Sequence, residues 1–541
     1  MTRSSRRFTF LLITLAIPVV FFILLEGGLR LAGFGGKAPL FIENPAHPDY
    51  LLPRPDILNR YFPDGHAPRV TMETNFFLKE KPEDGLRLIV QGGSTAAGFP
   101  YGLGASLAGM LDNRLRQTYP QRDVEVINTA MSAVNSYLLK DVASEIAEQS
   151  PDAVLIYAGH NEYLGIFGVG SQFQFGGPLL TRLYLSLYSL ATVDALQYLL
   201  LSFTSGPDEL QSASRTFMAQ VAQNTLIPFD SGAYRQGLRQ FEANMRQVLD
   251  TYRQASIPVY LSTIASNIGD QPPLGAGSPA AAEALSLYQR GQQAMAAGEY
   301  VAARQYLAKA KDLDPLRFRA PEDINAIIRK LSRQPGVVLV DTLSVMESRT
   351  QSNIVGNSLM LEHLHPNLPG YFLIADSFYD ALLNNQLASN PQPVTTAEAW
   401  RNRPVTTAEE YYGYAQIQAL KSDFPFRPSP VPIMLSEPAD WQQQLGKAYF
   451  EKRISWLDMM QQLHAGYVKR KNLNLELKTA ALIAQALPHD PLSNEQAGDL
   501  LYKARRDAEA LHFYQRAKRA GSATSNLDTR MAILKDRLTI K

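Results

Sequence analysis

Between residues 85 and 341, short apolar runs alternate with longer amphipathic stretches. The runs are 86–90 (LRLIV), 124–128 (VEVIN), 153–157 (AVLIY), 258–263 (PVYLST) and 337–341 (VVLVD). Each is short and nearly continuous, which is the pattern of strands buried on both faces of a parallel sheet. Stretches such as 104–119 and 234–255 carry helical periodicity and supply crossover helices. The alternation predicts an α/β domain with helices on both sheet faces. Such domains place their sites at the carboxyl ends of the strands.

Four other patterns flank or interrupt this one. Residues 8–25 (FTFLLITLAIPVVFFILL) hold no charge, follow Arg3, Arg6 and Arg7, and are closed by Glu26. They read as a retained membrane anchor, because the run is long for a signal peptide and no small-residue cleavage site follows. The basic flank keeps that end in the cytoplasm and exports the rest. Residues 35–84 are rich in Pro, Gly and aromatics without a sustained period, and read as a linker and irregular entry.

Within 280–316, Leu287, Gly291, Ala294, Ala303, Leu307, Ala310 and Pro315 fall at tetratricopeptide-repeat spacing. This predicts a helical insertion in a domain spanning 85–384. Residues 385–434 are Pro-rich and contain PVTTAE twice, each copy offering a Thr-x-x-Glu capping box. They read as a linker with short helices. Gly498, Leu501, Ala510, Tyr514 and Ala517 repeat the earlier offsets, so 435–541 is expected to be a small helical domain.

The chain has 541 residues, 45% of them hydrophobic, and 52 basic against 51 acidic side chains. It therefore folds and buries a core, and no charge excess points to nucleic acid. It contains no cysteine. That excludes disulfides, thiolate nucleophiles, cysteine zinc sites and lipid-modified cysteines.

Polar residues stand just beyond the predicted strands. Gly92-Gly93-Ser94 follows the first run and places a hydroxyl at a strand-to-helix turn. The second run leads into Ala133 and the third into Gly159-His160-Asn161-Glu162. Glu362-His363-Leu364-His365 follows the last run. A hydroxyl, a neutral amide donor and a histidine three residues from a carboxylate suit a nucleophile, an oxyanion donor and an oriented base. The His-x-His pair also raises a metal site, for which no further ligand cluster is evident. Arg317 and Arg319, around Phe318, are candidates for clamping an anion or for a solvated turn. Tyr157, Tyr163 and His160 are candidate pocket walls or core residues.

Together the four segments resemble the SGNH (GDSL-like) hydrolase family, in particular membrane-anchored bacterial members with tetratricopeptide-like helices. The resemblance covers residues 85–385 apart from the insertion. It implies a flavodoxin-like three-layer sandwich with a parallel sheet. It also implies Ser94 as nucleophile, His365 as base and Glu362 as its partner. The oxyanion hole would comprise the Ser94 and Ala133 amides and the Asn161 side chain. Three positions depart from the family pattern. Gly93 replaces an acidic residue, Ala133 replaces glycine, and Glu362 replaces aspartate. If position 133 requires a positive φ, alanine there is strained.

The implied function is an esterase without cofactor or metal, acting on an O-acyl glycan or a lipid. Its implied place is the bacterial inner membrane, with the catalytic domain on the periplasmic side. Expected contacts are the ester, the membrane through the amino-terminal helix, and a protein through the repeat-like helices. The alternatives are an acyltransferase or an inactive scaffold.

Overall fold

The computed structural model describes residues 3–36, 38–62, 67–171, 178–204, 216, 218 and 225–539. They fall into two compact units. One comprises the described residues within 1–39, 56–71 and 174–215, and the other comprises the remaining described residues.

The larger unit holds two sheets. Strands β1 (Phe41–Asn44), β2 (His47–Pro53) and β3 (Phe77–Leu78) form a small antiparallel sheet. Strands β4 (Gly85–Gly92), β5 (Asp123–Asn128), β6 (Ala153–Tyr157), β7 (Val259–Ser262) and β8 (Val337–Val340) form a parallel sheet in the order β5-β4-β6-β7-β8. Counted from its first strand this is 2-1-3-4-5, the flavodoxin-like order. Every residue of β4 and β6 is buried, which explains their unbroken apolar runs. Val90 stands opposite Asn128 on one side and Leu155 on the other. The loops leaving β4, β5 and β6 therefore converge at the topological switch point.

Among the described residues the helices, in chain order, are α1 (Arg3–Leu31), α2 (Ser94–Ala97), α3 (Leu107–Thr118), α4 (Ser136–Glu148), α5 (Pro178–Leu187), α6 (Ala191–Thr204) and α7 (Gly232–Gln254). After them come α8 (Ala282–Ala296), α9 (Tyr300–Leu313), α10 (Glu322–Leu331), α11 (Thr342–Ser348), α12 (Leu368–Asn384), α13 (Thr396–Arg401) and α14 (Thr407–Lys421). Six more, α15 to α20, run from Trp441 to Thr539. Helices α3 and α12 pack together, and α4, α7 and α10 pack in series. Right-handed crossovers put these two sets on opposite faces of the sheet, giving three layers.

The insertion is an antiparallel hairpin of α8 and α9. Its closeness depends on Gly291, where an added Cβ would lie 2.6 Å from the Leu307 side chain. Gly498 meets Tyr514 in the same way within the carboxyl-terminal helices.

Three expectations change. Residues 35–84 include the antiparallel sheet, whose short strands left no period to read. Strand β8 lies at the sheet edge, and Leu339 is 38% exposed rather than covered on both faces. The stretch 385–434 is packed and is no spacer. Thr395 caps α13 and Thr406 caps α14, the latter with a full capping box to Glu409. Val394 O accepts from the Arg114 guanidinium, and Gly446 of α15 (Trp441–Phe450) lies against Ala408 of α14. The helical stack thus begins at α14. Arg519 pairs with Asp123 at 2.6 Å, joining the stack to the sheet domain.

In the smaller unit, α1 contains a 20-residue window, Leu12–Leu31, of mean hydropathy 2.3 with no buried residue. It is long and apolar enough to cross a membrane.

Candidate active site

Strand β4 ends at Gly92, and Ser94 opens the short helix α2. A Cβ at Gly92 would stand 2.3 Å from Tyr157 O, so the turn closes only with glycine there. The loop between α11 and α12 brings His365 to the same place. His365 Nε2 lies 2.7 Å from Ser94 Oγ. On the other side of the ring, Nδ1 contacts Glu362 Oε1. These contacts assign the tautomer: Nδ1–H donates to Glu362, and Nε2 is left to accept the Ser94 proton.

Glu362 is 1% exposed, and its carboxylate curls back onto its own loop. Oε2 accepts from the His363 N–H, and Oε1 also accepts from the His365 N–H at 2.9 Å. The extra methylene relative to aspartate permits this return. Burial pushes His365 down to about 3, so its ring is neutral near neutral pH. The ring of Phe99 lies 4.7 Å from that of His365 and limits its rotation.

Ala133 has φ +65, in the left-handed region. Its carbonyl accepts the Ile166 N–H at 2.8 Å, and an added Cβ at Gly165 would meet that oxygen at 2.6 Å. The loop thus holds alanine in a conformation that costs it about 1–2 kcal/mol. Asn161 lies in the 3-10 turn His160–Glu162 after β6. Gly93, with φ −87, needs no glycine for its backbone, but a Cβ there would be 2.8 Å from Asn161 Nδ2. The absent side chain makes room for the amide.

Glu162 is a further residue of interest, to which no local sequence pattern assigns a role. Its buried carboxylate accepts from Ser136 N (3.1 Å), Ser136 Oγ (2.9 Å) and Gln240 Nε2 (2.8 Å). It ties the turn carrying Asn161 to the start of α4, just after Ala133. Burial raises it to about 7. The only sequence signal was an acid directly after the asparagine that follows a buried strand.

Ser94, Ala133, Asn161 and His365 all line one cavity of about 290 Å³. Its other walls are mostly apolar and include Phe99, Leu164, Phe318, Leu364 and Leu420. Ala419 and Leu420 come from α14, more than 300 residues after Ser94 in the chain.

Several other candidates belong to the framework. The Arg317 guanidinium donates to Ile227 O and Asp312 O, and that of Arg319 donates to Asn267 O and Gln271 O. Both are buried, neither lines the cavity, and only the Phe318 between them does. Tyr157 and Tyr163 are core residues; the Tyr157 hydroxyl accepts from Ala265 N and that of Tyr163 donates to Tyr234 O. His160 does line the cavity, with Nδ1 accepting from Ala320 N and Nε2 donating to Ala265 O. Burial holds it neutral, down to about 3. The donor atoms of Glu362, His363 and His365 lie within 4.8 Å of one another. Both Glu362 oxygens already accept from the loop's own N–H groups, so this donor set is turned inward.

The sheet domain has an SGNH hydrolase-like fold. The strand order carries this statement, with Ser94 and Asn161 in the loops after β4 and β6 and His365 meeting Ser94 from the loop before α12. No family model and no curated protein matches the sequence. Solved structures similar to the chain include a GDSL-like lipase from Bacteroides thetaiotaomicron, at 12% identity and TM-score 0.27, covering 55% of this chain and 88% of that one. An acetyl-xylooligosaccharide esterase mutant from Geobacillus matches at 15% identity and TM-score 0.30, over 56% of this chain and 96% of that one. The esterase EstA from Pseudoalteromonas matches at 13% identity and TM-score 0.27, over 56% and 99%. At such low identity the chemistry of this SGNH-like domain is read from its own side chains.

Proposed function

We propose that the chain is a membrane-anchored serine esterase of the SGNH kind. The observation that carries this reading is the 2.7 Å contact from His365 Nε2 to Ser94 Oγ, with Glu362 behind the ring. In the proposed reaction, Ser94 Oγ attacks an ester carbonyl as His365 takes its proton. The imidazolium that forms is stabilised by the Glu362 carboxylate, which favours the charged ring at that moment. The Ser94 and Ala133 N–H groups and the Asn161 amide hold the oxyanion. His365 then returns the proton to the leaving alcohol, and a water attacks the acyl-enzyme in the second half.

The apolar cavity supports an ester with an apolar acyl group. A dry cavity of about 150 Å³ holds benzene, so twice that volume takes a chain of about eight to twelve carbons. Helix α1 is the anchor in this reading, and Arg3, Arg6 and Arg7 keep its start in the cytoplasm. The catalytic unit then works on the periplasmic side.

The test is hydrolysis of p-nitrophenyl esters by the purified full chain. Ser94→Ala should lower kcat about 10³-fold or more. Full activity in Ser94→Ala would refute the assignment.

A further inference from the structure

The smaller unit carries an apolar surface that the anchor alone does not explain. Helices α5 and α6 cover residues 178–204, a stretch with two charged residues, Arg182 and Asp194. Leu180, Leu183, Leu187, Leu196 and Tyr198 are each at least 36% exposed. Large apolar side chains exposed together on two short helices mark a surface that something covers.

The start of α6 is tied to one end of α1. The Glu26 carboxylate accepts from Ala191 N at 2.8 Å and from Thr192 N and Oγ at 2.9 Å, capping the start of α6. Arg30 donates to Ser189 O, and Asp194 accepts from Gly35 N. A Cβ at Gly35 would lie 2.5 Å from Ala191 Cα, so the chain leaving α1 runs directly over the start of α6. The rings of Phe34 and Tyr198 meet at 6.1 Å. Glu26 and Arg30 are the first charged residues after the apolar run, so the attachment lies where α1 leaves the hydrocarbon.

We propose that α5 and α6 lie in the membrane interface beside α1, as a second membrane element. Their occupant is lipid, because Glu26 and Arg30 tie the start of α6 to the point where the apolar run of α1 ends. At 10 and 14 residues they rise about 15 and about 21 Å, too short to cross a hydrocarbon core of about 30 Å. Helices that are too short to span and present apolar side chains beside a membrane lie along its surface. Tyr198 and Phe34 suit the headgroup level, where aromatic rings concentrate. The proposal rests on the reading of α1 as a membrane anchor and is independent of the esterase chemistry.

The absence of cysteine makes the test direct. Single cysteines are introduced by Leu183→Cys, Leu196→Cys, Val20→Cys in α1 and Val301→Cys on the exposed face of α9. Each full-length variant is labelled with an environment-sensitive fluorophore and reconstituted in phosphatidylcholine–phosphatidylglycerol vesicles. Nitroxide-bearing lipids then quench from defined depths. The expected result is loss of fluorescence at positions 183 and 196 to nitroxides near the headgroup, at position 20 to deep nitroxides, and at position 301 to neither. Quenching at 20 with water-like emission at 183 and 196 would overturn the proposal alone and point to a protein covering the leucines. Water-like emission at 20 as well would overturn the anchor reading and the proposal with it.

Discussion

Gly93 makes room for Asn161: a methyl group at position 93 would stand 2.8 Å from the Asn161 Nδ2 atom. The backbone at 93 is extended, so alanine fits its torsions. The atom in the way is the end of a side chain, which can move. Gly93→Ala should therefore leave stability nearly unchanged and displace the proposed oxyanion donor. The expected loss in kcat is about 10²-fold, the scale of losing one such donor. Ester kinetics and a urea titration on the same sample check both halves.

Ala133 is expected to respond in the opposite sense. Its φ of +65 is costly for alanine and free for glycine. Ala133→Gly should relieve about 1–2 kcal/mol of strain and add about 0.5–1 kcal/mol of chain entropy cost. A net gain of roughly 0.5–1 kcal/mol should appear as a higher urea midpoint, with kcat little changed because the N–H remains. A lower midpoint would contradict the strain.

Glu162 should act as a positioning residue. Glu162→Ala removes the acceptor shared by Ser136 and Gln240, and kcat should fall about 10-fold with KM nearly constant. Glu162→Gln should restore part of it. The carboxyl also shapes the pH dependence of stability. Its folded pKa of about 7 exceeds the ordinary 4.5. Its contribution is therefore complete below 4.5 and is lost as the pH rises through about 7. Between about pH 5 and about pH 8 the wild type should lose more stability than Glu162→Gln, as read by urea midpoints.

The pH–rate profile reports on His365. The proposed catalysis needs its neutral ring, and burial pushes the pKa from 6.5 down to about 3. The limb of kcat/KM should therefore fall only at acid pH, well below the ordinary histidine value. A half-maximal point near 6.5 would show an exposed, ordinary base.

Leu420 tests the origin of the acyl pocket. It reaches the cavity from α14. Leu420→Trp should fill that end, lowering kcat/KM on octanoate esters by about 10-fold or more while sparing acetate. Equal loss on both would place the acyl chain elsewhere.

What the sequence disclosed follows from chain geometry. Strands β4 and β6 were legible because both faces are buried, leaving continuous apolar runs. Ser94 and Asn161 were legible because each sits just beyond a buried strand, and Glu362 and His365 because a carboxylate stands three residues before a histidine, although helix α11 separates them from β8. The antiparallel strands 41–44 and 47–53 were hidden because their mixed burial gives neither alternation nor an apolar run. The fates of Arg317 and Arg319 depend on which backbone carbonyls surround them, and no local pattern encodes that. Leu420 and Ala419 reach the cavity only through the packing of α14, which the prolines around it disguised as a linker.

The proposed chemistry stands or falls on Ser94 as an activated nucleophile. The most direct measurement is intact-mass and peptide mapping after exposure to a fluorophosphonate. The prediction is one covalent adduct, located on Ser94, absent from Ser94→Ala and formed much more slowly in His365→Ala. A folded wild-type sample that takes no adduct, or an adduct that persists in Ser94→Ala, would contradict the claim.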